Sequence, residues 1–180
     1  MNLKHETAKI LAPCLYVLNK TGQISKHHLS KILYFADKSH IAKYGRTLTG
    51  QKYVAMQNGP VPSQLYDFIK FVEGVSDDSF LTEHARFAPQ FIGFAPDYYV
   101  FAKLPAEMQF LSVSAVNALD ESIAANKNAS FKVLTENSHD SAWKEAWERP
   151  GKNKDISIIE IARSAGANDA MIEYIQATMQ

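Results

Sequence analysis

Along the chain, apolar residues recur every three or four positions in several long stretches, which are interrupted by one glycine- and proline-rich stretch in the first half. That spacing places side chains on one face of a helix and predicts amphipathic helices. The first helix is predicted over residues 3–19, where Pro13 indicates a kink or a late start. The second begins after Ser25, a good N-cap, and ends near Lys43, because Gly45 suits the left-handed position after a helix.

Helical patterns continue through much of the remaining chain. A third helix is expected over residues 62–73, and another follows Ala106 in MQFLSVSAVNALDESIAAN. The stretch ASFKVLTENSHDSAWKEAW predicts two short helices, with Ser138 or Asp140 as the cap of the second. Two more short helices are expected near the C-terminus, one on each side of Gly166, because that glycine interrupts the periodicity.

The β structure is expected to be small. Two runs are strand-like, QKYVAMQ at residues 51–57 and DYYVFAK at residues 97–103, and Asn58-Gly59-Pro60 predicts a turn after the first. Two strands alone are marginal, so they should lie beside the helices. We therefore expect one compact domain over residues 1–180, mainly α (α+β), with six to eight helices and one small antiparallel β element.

Composition and charge narrow the function classes. Hydrophobic residues make up 46% of the chain and charged residues 21%, as in ordinary globular proteins. Nineteen basic residues balance nineteen acidic ones, whereas nucleic-acid-binding proteins usually carry a basic excess. No stretch reaches the ~18 apolar residues of a membrane span, and the N-terminus lacks a signal-peptide core, so we expect a cytoplasmic protein. Cys14, the only cysteine, lies in an apolar stretch and is expected to be a buried thiol.

Candidate enzyme chemistry is sparse. His139 and Asp140 form the HD dipeptide of metal-dependent phosphohydrolases, but such sites need further histidines and a distant aspartate in one cavity. The motifs of zinc proteases, serine hydrolases, P-loops and dinucleotide-binding folds do not occur in the sequence. We therefore expect no enzyme, with no catalytic residue, no cofactor and no metal ligand. A metal-dependent phosphohydrolase remains as a lower alternative.

A DNA-binding interpretation stays open as the main alternative. The first two predicted helices are joined by a short turn that contains glycine, which resembles a helix-turn-helix. Apolar residues occupy much of the second helix and favour a core position, which leaves its basic residues as a solvated face. Those basic residues are Lys26, His27, His28, Lys31 and Lys38.

The stretch YGRTLTGQKYVAMQNGPVPSQLY, residues 44–66, is much longer than the usual connection of about four to six residues. With KILYFAD before it and H-x-x-x-W after it, the stretch is similar to the Panacea domain family of prophage-associated, SocA-like antitoxins. The core of the similarity spans about residues 25–148, and residues 151–180 form a helical segment outside it. The positions that carry the family motif, expected to be structural or toxin-binding, are Tyr34, Asp37, Tyr44, Gly45, Arg46, Leu48, Thr49, Gly50, Tyr53, Gly59, Pro60, Val61, Pro62, Tyr66, His139 and Trp143.

The resemblance implies a function in a toxin–antitoxin system. An antitoxin of this family binds and silences a protein toxin that is encoded beside it, and it has no enzymatic activity. Members occur with toxins of several unrelated folds, so the domain does not identify its toxin. The implied partner is a cognate protein toxin, in a hetero-complex or beside a homodimer, with no membrane and no nucleic acid.

Two roles stay open for the motif residues, an internal brace and a toxin contact. We favour the brace, in which Arg46 pairs with a carboxylate, either Asp37 or Asp67. Toxin contacts would then come from the region of residues 75–100. Trp143 is expected to be buried as an anchor of the core.

Overall fold

The computed structural model describes residues 2–75, 83–152 and 154–178 of the 180-residue chain. Within these ranges it contains eight α-helices, two 3-10 helices and six strands, which confirms the mainly helical α+β fold. The α-helices are α1 Leu3–Thr21, α2 Lys26–Tyr44, α3 Ser63–Glu73, α4 Val113–Asn126, α5 Phe131–Ser138, α6 Ser141–Glu148, α7 Ile158–Ser164 and α8 Asp169–Thr178. The 3-10 helices are Glu83–Gln90 and Met108–Phe110. None of the helices in these ranges is long and apolar enough to cross a membrane.

The boundaries of α1 and α2 follow from local capping. Ser25 Oγ accepts a hydrogen bond from His28 N at 3.2 Å, and Gly45 adopts φ 68° after the last turn of α2, as predicted. Of the two effects expected from Pro13, a kink or a late start, the late start is wrong, because α1 begins at Leu3 and runs through Pro13. A proline removes one main-chain hydrogen bond, and the buried packing of α1 on both sides of it compensates for that loss.

Helix α2 is the central element, because it packs against two hydrophobic cores on different faces. Leu29 and Leu33 join a larger core that includes α1, α3 and α4. Tyr34 and Ile41 join a smaller core formed with β2, α6, α7 and α8. Cys14 lies in the larger core, where burial raises the pKa of its thiol to about 12. The helix is therefore buried over most of its circumference.

The strands form two three-stranded antiparallel sheets, not the one β element that we expected. They are β1 Ile24–Ser25, β2 Tyr53–Met56, β3 Gly59–Pro62, β4 Ile92–Ala95, β5 Tyr99–Ala102 and β6 Asp155–Ile156. One sheet has the order β1-β5-β4 and the other β3-β2-β6, so the two predicted strands lie in different sheets. Each of them pairs with its neighbour in the chain, since a short hairpin loop closes at little entropic cost.

The segment GPVP forms the strand β3 instead of the predicted turn. Met56 pairs with Gly59, so the turn consists of two residues, Gln57 and Asn58. Ala55 N donates to the Lys154 carbonyl, and Ser63 N donates to the Lys52 carbonyl. These two bonds show which residue pairs of β2 and β3 are hydrogen-bonded and which are not. Both prolines of β3 consequently sit at non-hydrogen-bonded pairs, where an N–H would point away from β2. Proline is tolerated there because no ladder bond is lost.

Candidate functional site

The Asp37 carboxylate holds the first half of the motif together. It is fully buried on α2, and its Oδ1 accepts hydrogen bonds from Leu48 N at 2.6 Å and Thr49 N at 3.1 Å. Its Oδ2 accepts from the Thr49 hydroxyl and from the Tyr53 hydroxyl, the latter at 2.8 Å. Burial raises the pKa of this carboxyl, and the hydrogen bonds act in the opposite direction. One aspartate therefore fixes both the loop after α2 and the strand β2.

The expected brace between Arg46 and Asp37 is wrong. Arg46 is exposed, and no ion pair in the described part of the chain includes it or Asp67. Two main-chain amides and the hydroxyls of Thr49 and Tyr53 bind both oxygens of Asp37 instead. The loop is held at a second point by His40, whose Nδ1 donates to the Arg46 carbonyl at 2.7 Å. The loop is thus braced, but without the arginine side chain.

Two positions of the motif require glycine for structural reasons. A Cβ added to Gly45 would lie 2.6 Å from Cδ1 of Tyr174, because α8 packs against the end of α2. Gly50 has a positive φ of 68° and is exposed, so the loop conformation itself requires it. Tyr44 is partly exposed with its ring near His40, whereas Leu48 packs against the larger core. Gly45 and Gly50 therefore allow the backbone conformation of the loop after α2, and Leu48 anchors that loop to the larger core.

Asp140 connects the late motif to α2. Its Oδ2 accepts hydrogen bonds from the Tyr34 hydroxyl at 2.8 Å and from Lys38 Nζ at 2.7 Å. Its Oδ1 accepts from Trp143 N at 3.0 Å and caps α6, as one of the two predicted caps. Within the described residues, no three histidine, cysteine or acidic side chains are grouped as they would be around a metal ion. The dipeptide at residues 139–140 thus serves the packing of α6.

Trp143 is buried, as predicted, in the smaller core. Its indole stacks on the His139 ring with the centroids 3.6 Å apart, and its Nε1 donates to the Met56 carbonyl. Nε2 of His139 is buried and has no hydrogen-bond partner among the residues that the structure describes. Burial, with a contribution from the Lys31 charge, lowers the pKa of that ring. The late motif therefore packs directly against the hairpin of β2 and β3.

A cleft of about 540 Å³ opens beside this hairpin. It lies between the start of α2, the β2–β3 hairpin, α3, the turn between β4 and β5, and the start of α5. This volume is within the range of ligand-binding clefts, about 300–1,000 Å³. Its polar groups include Lys31, Ser30 and His27 on α2. Its apolar wall consists of Met56, Val61, Tyr66, Ile69, Tyr98 and Phe131.

Lys31 is the least expected residue of the cleft. Its side chain is almost completely buried, with 1% of its surface exposed, and its Nζ donates to the Pro60 carbonyl at 2.9 Å. Gly59 permits this approach, because a Cβ at that position would lie 2.9 Å from Lys31 Cε and would overlap Ser138 Oγ. Burial lowers the pKa of Lys31 to about 7.

The buried lysine corrects the prediction that the basic residues of α2 form a solvated face. Lys31 is inside the protein, Lys26 pairs with Glu73 at 2.8 Å, and Lys38 pairs with Asp140 at 2.7 Å. A recognition helix needs an exposed face that enters the major groove of DNA. Helix α2 is instead covered on two faces by hydrophobic cores. The geometry therefore does not favour a helix-turn-helix.

The turn between β4 and β5 forms one edge of the cleft. Asp97 and Tyr98 have positive φ angles of 62° and 64°, a conformation that residues other than glycine seldom adopt. Tyr98 is 61% exposed, and Lys26 Nζ lies 4.7 Å from its ring centroid. This turn falls in the region predicted to contact a toxin, residues 75–100, of which residues 76–82 lie outside the described ranges. The strand β5 was predictable from its residue pattern, whereas the position of its preceding turn beside the cleft was not.

Comparison with known proteins agrees with the motif. A protein-family model described as "Antitoxin SocA-like, Panacea domain" matches residues 29–144, more than half of the chain. The matched range begins in α2 and ends in α6, so it contains the Asp37 network, the β2–β3 hairpin and much of the cleft. No curated protein and no solved structure matches the chain significantly.

Proposed function

The chain belongs to the family of SocA-like antitoxins with a Panacea domain, and on that basis we propose that it binds and silences a protein toxin encoded beside it. The observation that carries this proposal is the family match over residues 29–144. The protein acts by direct binding, without catalysis, in the cytoplasm. Its working form is a hetero-complex with the toxin, in which the antitoxin is present as one copy or as a homodimer.

The surface around the cleft supports a binding function. Tyr98 and Phe131 both line the cleft and are 61% and 52% exposed. Val133, on the same helix as Phe131, is also exposed. Exposed aromatic side chains are enriched in protein interfaces, because they bury a large area with few rotatable bonds. A partner that covered this rim would also close the cleft.

The alternatives have less support. A helix-turn-helix regulator would need α2 to be exposed, yet both of its apolar faces are packed. A metal-dependent phosphohydrolase would need Asp140 as a free ligand, but its oxygens already bind Tyr34, Lys38 and the N-terminus of α6. We therefore propose no second function.

Co-expression with the adjacent gene tests the proposal. We expect the adjacent product to stop growth when it is expressed alone, and growth to recover when this protein is expressed with it. A copy of the gene with an early stop codon is the matched control. An inactive variant of the toxin should co-purify with the protein, and the mass of the complex will distinguish one antitoxin copy from two. Continued toxicity in the presence of folded protein, without co-purification, would refute the proposal.

A further inference from the structure

The amine of Lys31 is incompletely bound by the protein. A lysine ammonium has three N–H donors. In the described part of the chain, Lys31 Nζ has one hydrogen-bond acceptor, the Pro60 carbonyl, and takes part in no ion pair. A buried ammonium without a carboxylate is unfavourable, and the low pKa of this group reflects that cost. Within the residues that the structure describes, no carboxylate is therefore bound to the amine at the base of the cleft.

The charged groups that the structure describes around Lys31 do not supply a carboxylate for its amine. His27 and His139 are its electrostatic neighbours, and the positive charge of Lys31 contributes to the lowered pKa of each ring after the larger effect of burial. Lys26 also lines the cleft, and its own partner Glu73 lies 2.8 Å away. Asp97 is an exposed residue of the turn at the edge of the cleft. Among the described residues that line the cleft, Lys31 is therefore a basic group without a carboxylate partner.

Exposed aromatic side chains surround the opening of the cleft. Tyr98 and Phe131 leave more than half of their surfaces exposed around it. The strained φ angles at Asp97 and Tyr98 hold the tyrosine in this position, and such angles persist where the surrounding structure fixes them. The exposed aromatic side chains and the Lys31 amine together suit a carboxylate that is presented on an apolar surface.

We propose that the cleft receives an aspartate or glutamate side chain of the toxin, flanked by apolar residues, and that its carboxylate binds Lys31 Nζ. The inference rests on the proposed function for the identity of the partner. A macromolecule is the favoured source of the carboxylate because the exposed aromatic rim extends beyond the cavity and needs a partner of its own. Covering the rim excludes water and strengthens the ion pair below it.

The first test is Lys31→Met, which keeps a long apolar side chain in the same space and removes the amine. We expect affinity for the toxin to fall at least tenfold, with no loss of thermal stability at or below pH 7, because removal of the buried charge offsets the lost hydrogen bond to the Pro60 carbonyl. Lys144→Met is the matched control, since Lys144 is an exposed lysine on α6 with 66% of its side chain accessible. The control should bind the toxin within twofold of wild type.

A double-mutant cycle identifies the partner residue. Each acidic residue of the toxin is changed to its amide and tested against wild type and Lys31→Met. We expect one such change to weaken binding to wild type and to have no further effect on Lys31→Met. Absence of any coupled residue would overturn the inference. Benzoate binding to the isolated protein, detected at the Met56 methyl group by NMR, without such a residue would assign the cleft to small carboxylates and would also overturn it.

Proton uptake on binding gives an independent measurement. An ion pair raises the pKa of Lys31, so complex formation near pH 8 should take up part of a proton. Calorimetry in two buffers of different ionisation enthalpy measures this uptake, which should disappear in Lys31→Met. If wild type binds no toxin, both proposals fail. If wild type and Lys31→Met bind equally and without proton uptake, the antitoxin function stands and only the role of the cleft is refuted.

Discussion

The indole Nε1 of Trp143 donates a hydrogen bond of 2.9 Å to the main-chain carbonyl of Met56. This bond connects α6 to the strand that precedes the β2–β3 turn, between residues that are 87 positions apart in the chain. The same indole stacks on His139. The late H-x-x-x-W element of the family motif is therefore a support for the hairpin, and the hairpin forms one side of the cleft.

Trp143→Ala should lower the free energy of unfolding by about 3–5 kcal/mol, because it removes a large buried aromatic side chain and leaves a cavity. Urea denaturation measures the change. Trp147→Ala, at a more exposed position in the same helix, should cost less. Equal losses for the two variants would show that Trp143 is not the anchor.

Asp37→Ala should destabilise the protein far more than Asp37→Asn. Each buried donor left without an acceptor costs about 1–3 kcal/mol, and Asp37 serves the amides of Leu48 and Thr49 and two hydroxyls. An asparagine oxygen can still accept from both amides, while the hydroxyls of Thr49 and Tyr53 can turn to accept from its NH₂ group. Chemical denaturation of both variants tests this order, and similar losses would contradict the network.

Arg46→Ala should leave the free energy of unfolding within about 0.5 kcal/mol of wild type, since the side chain is exposed and unpaired in the described structure. Gly45→Ala, one position earlier, should be clearly destabilising, because its φ is 68° and the new Cβ would meet the Tyr174 ring. Thermal melting of the pair separates the two effects. A large loss from Arg46→Ala would restore the brace that the structure contradicts.

The Lys31→Met variant should have a higher free energy of unfolding than wild type, and the difference should be largest below pH 7. The folded pKa of Lys31 is about 7 and its ordinary value is 10.5, so between these values the unfolded state binds more protons. The stability of wild type therefore rises with pH across that window, and the advantage of the variant shrinks toward pH 10. Denaturation curves from pH 6 to pH 10 measure the difference. Lys144→Met should show no such trend, and a constant difference for Lys31→Met would argue against a buried charge.

His27 should make the protein sensitive to acid. Burial, with smaller contributions from neighbouring charges, lowers the pKa of His27 from 6.5 to about 4, and its ring stacks on Phe131. The unfolded state binds the proton more tightly, so this contribution to stability is present above pH 6.5 and is lost as the pH falls toward 4. His27→Gln should reduce the loss of melting temperature over that range. His5→Gln, at an exposed position of α1, should leave the acid profile unchanged.

Local chemistry explains which parts of the fold were predictable. Ser25 and Gly45 cap the two ends of α2, and Asp140 caps the start of α6, and these positions were predictable because caps act within one turn of a helix. The two-residue strands β1 and β6 escaped prediction because two residues carry no pattern. Prolines also obscured β3, since they usually mark turns and are compatible with a strand only at a free edge.

The site was less predictable because it depends on contacts between distant segments. Arg46 was predicted to pair with Asp37 because their charges are opposite. The sequence does not show that main-chain amides of the same loop bind this carboxylate instead. Lys31 looked solvated because a lysine in an amphipathic helix normally faces water. Helix α2 packs against a hydrophobic core on each of two faces. Lys31 is buried because β3 also packs against this helix, and the sequence does not reveal that contact.

The two prolines of β3 have a consequence for self-association. A free sheet edge is a template on which further chains can add and grow into fibrils. Pro60 and Pro62 hold the positions where an outward N–H would recruit the next strand, and the Pro60 carbonyl is already bound by Lys31. A protein with zero formal charge has little mutual repulsion to keep its copies apart. Strand β3 therefore blocks the addition of a further strand and limits the growth of its own sheet.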